Sequence, residues 1–431
     1  MRVRTDCLLP LTALLLTAGA ATAQEVEIVT NASQDQLALG SYPVPGGKTL
    51  DLSVGVGSSL YHMPGDPPDR FWALSDRGPN IACSDAEEIL GVDPKQFCAG
   101  IKQGRVYPRP DYAPSIFELR LDRAAGTFVV VETITLKRSD GTPVTGLPNP
   151  LTKASTETPL DGQGKPIATD PAALDTEGLV RLPDGTFWIG EENAPSILNV
   201  AGDGRIIRRY VPQGSEGDFA AAGYPVAGTL PAILIKRQLN RGIESLAVDG
   251  DGMLWAVLQN PLANPDADSF KAAANARILE IDPATGKPVA EYVYTLEPMA
   301  SFPGEEKKAQ STARISELAH VDGTRFLIDD RTDKTTHILA IDVAGATDIL
   351  GSRWDDPSTS PSLEQTDLAS IGIIPVSKHL VLDSSAVAQL RTNIEGVTLV
   401  DGVLYLLNDD DFGIGGERTK LAAIKGLPLS Q

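Results

Sequence analysis

Carboxylates recur at fixed places in this chain. Glu177, Glu244, Glu317 and Glu395 each precede an Asp-Gly pair: Asp184-Gly185, Asp251-Gly252, Asp322-Gly323 and Asp401-Gly402. Each pair is followed by an aromatic residue, in turn Trp188, Trp255, Phe326 and Tyr405. Four positions beyond the aromatic stands a second polar residue: Glu192, Gln259, Asp330 and Asp409. A more diverged copy has Trp72 followed by Asp76, with Gly57-Ser58 where the glutamate would stand. Even spacing on an extended strand puts side chains on one face, so the copies would assemble two polar rings. Carboxylates crowded around one axis raise each other's pKa unless a counter-charge is present. A hard cation with oxygen ligands supplies one, and calcium tolerates the variable coordination of a ring. The expected ligands are Glu177, Glu244, Glu317, Asp330, Glu395, Asp409 and Asp76. The competing reading is that each acid caps a turn or accepts backbone amides within its own hairpin.

The next position in each copy is Arg77, Asn193, Asn260, Arg331 and Asp410, and Arg241 stands just before Gly242-Ile243-Glu244. Guanidinium groups beside carboxylates either pair with them or clamp an oxyanion next to a metal. On the second reading Arg77, Arg331 and Arg241 stabilise developing negative charge, and Glu192 acts as general base or ligand. Asn193, Gln259, Asn260 and Asn408 are then candidate substrate contacts. The four histidines show no HExxH spacing, and the chain has no G-x-S-x-G elbow and no glycine-rich phosphate loop. His62 and His320 read as structural, and Ser58 and Ser75 are nucleophile candidates by position alone.

These residues need a scaffold. The stretch DTEGLVRLPDGTFWIGEENAPSIL, from Asp175 to Leu198, reads as two apolar strands around a Pro-Asp-Gly turn, a strong hairpin signal. A hairpin unit repeated at regular intervals in a β-rich chain predicts an all-β propeller. The anchors predict five or six blades, with six favoured because the interval from Trp72 to Trp188 is long enough for a degenerate one. A closed ring is one domain, spanning 24–431. One of the early strands, VEIVTN or TLDLSVG, would close it. Residues 139–173, rich in Pro, Gly and Thr, predict a long functional or mobile loop. Short helices are expected near Ala272–Ala274 and Ser384–Leu390.

Formal charge is −20, which argues against nucleic acid and anionic membranes as partners. Residues 1–23 combine Arg2 and Arg4, an apolar run from Leu8 to Leu16 and the small residues Ala21-Thr22-Ala23. That is the pattern of a signal peptide. Its apolar run is too short to span a bilayer, so the chain is expected to be exported, to a periplasm or beyond. In an oxidising compartment Cys83 and Cys98 would form a disulfide.

The segments ALSDRGPN, DTEGLVRLPDGTFWIGEENAPSIL, NRGIESLAVDGDGMLWAVLQNPL, ISELAHVDG and IEGVTLVDGVLYLLNDDDFG resemble the phytase-like family, also described as esterase-like activity of phytase. The resemblance covers nearly all of the chain after residue 23. It implies an exported bacterial-type β-propeller and, by analogy with β-propeller phytases, calcium-assisted hydrolysis of phosphate esters. Two other readings stay open: a binding propeller with a structural cation, and a lactone or carboxyl-ester hydrolase with a calcium-centred channel. The substrate would be a small ester or phosphoester.

Overall fold

The computed structural model describes residues 25–428, so the expected signal peptide lies outside the described residues. The chain is predominantly β-sheet with a few short helices. Its strands form five antiparallel units of four. The first holds Ser59–Tyr61, Arg70–Leu74, Ser115–Asp122 and Thr127–Thr135; the second Thr176–Arg181, Phe187–Glu191, Ser196–Val200 and Ile206–Pro212. The third holds Ile243–Val248, Leu254–Leu258, Asn275–Asp282 and Lys287–Thr295; the fourth Arg314–Asp322, Arg325–Arg331, Thr336–Asp342 and Ser377–Asp383. The fifth joins Ile394–Val400, Val403–Asn408 and Lys420–Lys425 to Glu25–Asn31 from the other end of the chain. VEIVTN is therefore the closing strand. It also pairs in parallel with Thr127–Thr135, fusing the fifth and first units into one sheet. The first strands of successive units touch in cyclic order, fifth back to first.

The apolar side chains explain the ring. Five apolar clusters fill the spaces between neighbouring units: Trp72 and Phe187 meet edge to face between the first and second. Trp255 packs on Phe326 between the third and fourth, and Phe71 on Tyr405 between the first and fifth. Asp401 and Gly402, both at positive φ, make the tight turn that the Asp-Gly pairs predict.

The long interval before Trp188 holds no further four-stranded unit. It carries a three-stranded sheet of Ile81–Ala82, Gly104–Tyr107 and Thr158–Asp161, with helices Ala86–Leu90 and Pro94–Phe97 beside it. Cys83 and Cys98 are bonded there. Residues 139–173 are thus partly structured. Arg138 pairs with Asp170 at 2.8 Å, Asn149 Nδ2 donates to the Ala173 carbonyl at 2.9 Å, and Arg237 Nη2 to the Ser155 carbonyl at 2.8 Å. The expected short helices resolve into Ala267–Ala272 and a single 3-10 turn at Ser384–Ala386. No helix among the described residues is long and apolar enough to cross a membrane.

Strand register decides which side chains reach the axis. Four first strands carry a bulge at the glutamate level, between Thr176 and Leu179, Ile243 and Ser245, Ile315 and Glu317, and Ile394 and Gly396. Beyond the bulge, Ser245 pairs with Val257, Glu317 with Asp329 and Gly396 with Leu407. Glu317 is therefore equivalent to Ser245, and Ser316 takes the place of Glu244. The chain reads Ile-Glu-Ser-Leu-Ala at 243–247 but Ile-Ser-Glu-Leu-Ala at 315–319. A one-residue exchange moves a carboxylate to the opposite face. By the same register Leu246 faces Ala256 and Leu318 faces Ile328, so Arg331 is equivalent to Gln259 and Asp330 to buried Leu258.

Candidate functional site

At one end of the ring opens a cavity of about 510 Å³. The glutamate level contributes Glu177, Glu244 and Glu395 to it, and the level of Asp76, Glu192, Gln259, Arg331 and Asp409 lies beside them. Arg77 and Arg241 also line it. The structure thus brings together ten of the residues that the repeat singles out.

Others go elsewhere. Glu317 is 2 % exposed and sits between the first strands. It accepts hydrogen bonds from Ser59 Oγ at 2.7 Å, Ser245 Oγ, and the Leu60 and Leu318 amides at 3.3 Å each. Burial pushes its carboxyl up to about 8. It lines a second, smaller cavity of about 290 Å³. Asp330 accepts from the Tyr294 hydroxyl at 2.9 Å and the Glu297 amide at 2.6 Å, and burial raises it to about 7. Neither is placed to hold a cation in the larger cavity. Asn260 donates to the Ala313 carbonyl at 2.7 Å, and Asn408 to the Asp409 carbonyl at 3.0 Å. Asn193 is buried, its carbonyl taken by Arg237 Nε at 2.7 Å. The Asn260 and Asn408 side chains hold backbone, the Asn193 side chain has no hydrogen-bond partner among the described residues, and none of the three lines the cavity.

One wall is acidic. Carboxylate oxygens of Asp76, Asp175 and Glu177 lie within 4.8 Å of one another. Asp175 Oδ1, Glu244 Oε2, Gln259 Oε1 and Asp409 Oδ1 are buried oxygens with no hydrogen-bond partner among the described residues. Desolvation raises Asp76, Asp175, Glu177, Glu244 and Asp409 above the usual carboxylate range, and their neighbouring carboxylates add to it. Glu192 is pushed up to about 8 by burial and by Asp175. An all-oxygen donor set with orphaned lone pairs fits a hard cation.

Arg77 is not free to clamp a ligand. Its guanidinium contacts Glu157 at 2.6 Å, Asn240 Oδ1 at 2.7 Å and Asp175 at 3.2 Å. Burial opposes its charge, but Asp175 and Glu157 outweigh that and raise its pKa. It ties the acidic wall to Glu157, which the Arg105 guanidinium also meets at 2.7 Å. Arg241, Arg314 and Arg331 also line the cavity, Arg241 beside Glu192 and Arg331 beside Glu395. Ile81, Ala82, Asp85 and Ile89, in and beside the disulfide-bonded segment, also line the cavity, as do Asp411 and Phe412. Asp411 and Phe412 hold left-handed backbones, φ 48° and 56°, a conformation that costs of order 1–3 kcal/mol for each non-glycine residue.

The repeat missed Asp175, Arg314, Asn240 and Asp411. Asp175 stands two before Glu177, so strand alternation could have found it. Arg314 stands two before Ser316, the displaced glutamate position, and is hidden by that exchange.

The scaffold is a cyclic array of β-sheet units, and one cavity at its end gathers buried carboxylates and guanidinium groups. Residues 53–412 match the model of the family described as "Phytase-like: Esterase-like activity of phytase", and the chain belongs to that family. An uncharacterized secreted protein of Arthroderma benhamiae is 29 % identical over 292 residues, covering 60 % of this chain and 54 % of that relative. The match thus spans about half of the relative's length. Among solved structures, virginiamycin B lyase from Staphylococcus aureus is 11 % identical, with 93 % of this chain and 99 % of that one covered and a TM-score of 0.32. A putative 6-phosphogluconolactonase from Bacteroides uniformis is 12 % identical, with 90 % and 89 % covered and a TM-score of 0.33. Similarity this low carries no argument about function.

Proposed function

We propose that this chain is an exported hydrolase of ester bonds, with phosphoesters the favoured substrates, working with a calcium ion in the cavity of a five-bladed propeller. The observation that carries this reading is the convergence of Asp76, Asp175 and Glu177 oxygens beside a cavity that Arg241, Arg314 and Arg331 also line. The family description, esterase-like activity, agrees with it.

Asp76, Asp175 and Glu177 would hold calcium, with Glu244 and Asp409 at hand. Bound there, the ion supplies polarisation of the ester and a more acidic water. Arg77 keeps Asp175 in place through its 3.2 Å contact. Arg331 and Arg241 direct N–H groups at negative charge that develops as the ester bond breaks. Glu192 accepts from Asn240 Nδ2 and from Arg241 Nη1 at 3.2 Å. It is placed to take a proton from water at Oε or return one to the leaving oxygen.

A panel assay tests this. Chelator-treated mature protein is given p-nitrophenyl phosphate and p-nitrophenyl acetate, then calcium is added back. Turnover that is lost on chelation and restored by calcium supports the reading; no turnover of either ester in the calcium-loaded protein contradicts it. A binding propeller with a structural cation is the second reading. The observation that favours it is that no histidine, cysteine or serine lines the cavity among the described residues.

A further inference from the structure

We infer that Arg314 is a specificity-determining residue of this cavity: with Arg241 and Arg331 it forms an anion-holding wall that receives an oxyanion of the substrate, a phosphate or a carboxylate. The inference deepens the hydrolase reading and rests on it for the identity of the anion as substrate.

Arg314 opens the fourth unit's first strand and points into the cavity, its side chain 13 % exposed. Its one ion-pair partner among the described residues is Asp333, at 2.8 Å and 60 % exposed. A pair so open to water is worth little. Burial pushes the Arg314 guanidinium down to about 10, and the like charges of Arg331 and Arg241 push the same way. Arg331, 2 % exposed, spends Nε on Ser316 Oγ at 2.6 Å and Nη2 on Glu395, while Nη1 has no hydrogen-bond partner among the described residues. Arg241 reaches Glu192 at 3.2 Å and is one-third exposed. Each guanidinium thus has one carboxylate, Glu192, Glu395 or Asp333, while the buried Arg331 Nη1 donor stays unanswered in a cavity that many more carboxylates line.

An unmatched buried donor costs stability until an acceptor arrives. A phosphate or carboxylate offers several acceptors to a guanidinium in a matched geometry. Seated on this wall, the anionic group turns the rest of the ester towards Asp76, Asp175 and Glu177. The place of Arg314 in the fold supports the assignment. By register it occupies in the fourth unit the position that Asp175 holds in the second, so equivalent positions of two units carry opposite charges.

The test is calorimetric titration of inorganic phosphate, with succinate in parallel, into calcium-loaded mature protein as wild type, Arg314→Gln and Arg314→Lys. The expected result is that Gln weakens binding of the preferred anion about tenfold, about 1.4 kcal/mol, and that Lys recovers part of it. KM for p-nitrophenyl phosphate should rise in step, with kcat moving less. The anion that binds identifies the phosphate or carboxylate form of the wall. If Arg314→Gln does not fold, phenylglyoxal labelling of wild-type Arg314, read by peptide mapping, should be slowed by that anion. Unchanged anion affinity in Arg314→Gln, or labelling indifferent to both anions, overturns the inference. Anion binding through Arg314 in a wild type that cleaves no ester would sink the hydrolase reading alone. Ester cleavage with no effect of Arg314→Gln would sink the wall alone.

Discussion

At the scale of single residues, the same residue type does different work according to which face of a strand it occupies. Glu177 and Glu317 both sit in an apolar first strand, yet one lines the cavity and the other answers two serine hydroxyls and two amides inside the ring. Glu317→Ala would strand those donors, each worth about 1–3 kcal/mol when left buried and unpaired. The expected outcome is a loss of about 3 kcal/mol or more in denaturant unfolding, with kcat/KM per folded molecule kept. A loss of turnover with full stability would return Glu317 to the site. Spacing from the aromatic made Glu317 and Asp330 look equivalent to their counterparts. The strand bulge and the exchanged Ser-Glu order are set by backbone pairing, which spacing does not report. Arg77 was legible as a charged neighbour of the acids, but not its engagement by Glu157, which arrives from a distant stretch.

The hairpins were the most legible elements, because an Asp-Gly turn between apolar strands is a local signal and needs no distant partner. The closing strand was legible in outline as well. The segment between Trp72 and Trp188 was not, since its sheet pairs Gly104–Tyr107 with the remote Thr158–Asp161. Close approach of the first strands depends on small residues. A Cβ at Gly178 would lie 2.1 Å from the Leu246 amide nitrogen and 2.6 Å from the Ser245 Cα, all backbone atoms that cannot move aside alone. Gly178→Ala should therefore cost about 2–3 kcal/mol through overpacking, read as a lowered denaturation midpoint. A variant as stable as the wild type would mean the second and third units are not held at this distance.

Across the whole molecule, buried like charges tie stability to pH and to cations. In the folded chain Glu192 titrates at about 8 against an ordinary value of 4.5, and Asp175, Glu177 and Glu244 are shifted the same way. A carboxyl with a raised folded pKa favours folding below its unfolded pKa, and that contribution is lost as pH rises through the folded one. Chelator-treated protein should therefore melt at lower temperature as pH goes from about 5 to about 8, and calcium should restore more stability at the upper end. A melting temperature that rises over this interval without calcium would contradict the charge balance drawn for the cavity. The net charge of −20 was legible at once; the gathering of buried acids and arginines around one cavity required the ring to be closed.

The most direct measurement is calorimetric titration of calcium into chelator-treated wild type and Asp175→Asn, with ester turnover followed at each calcium level. The account predicts saturable binding in the wild type, turnover that rises with occupancy, and binding weakened at least about tenfold in Asp175→Asn. Equal calcium affinity and equal turnover in the two proteins would contradict it.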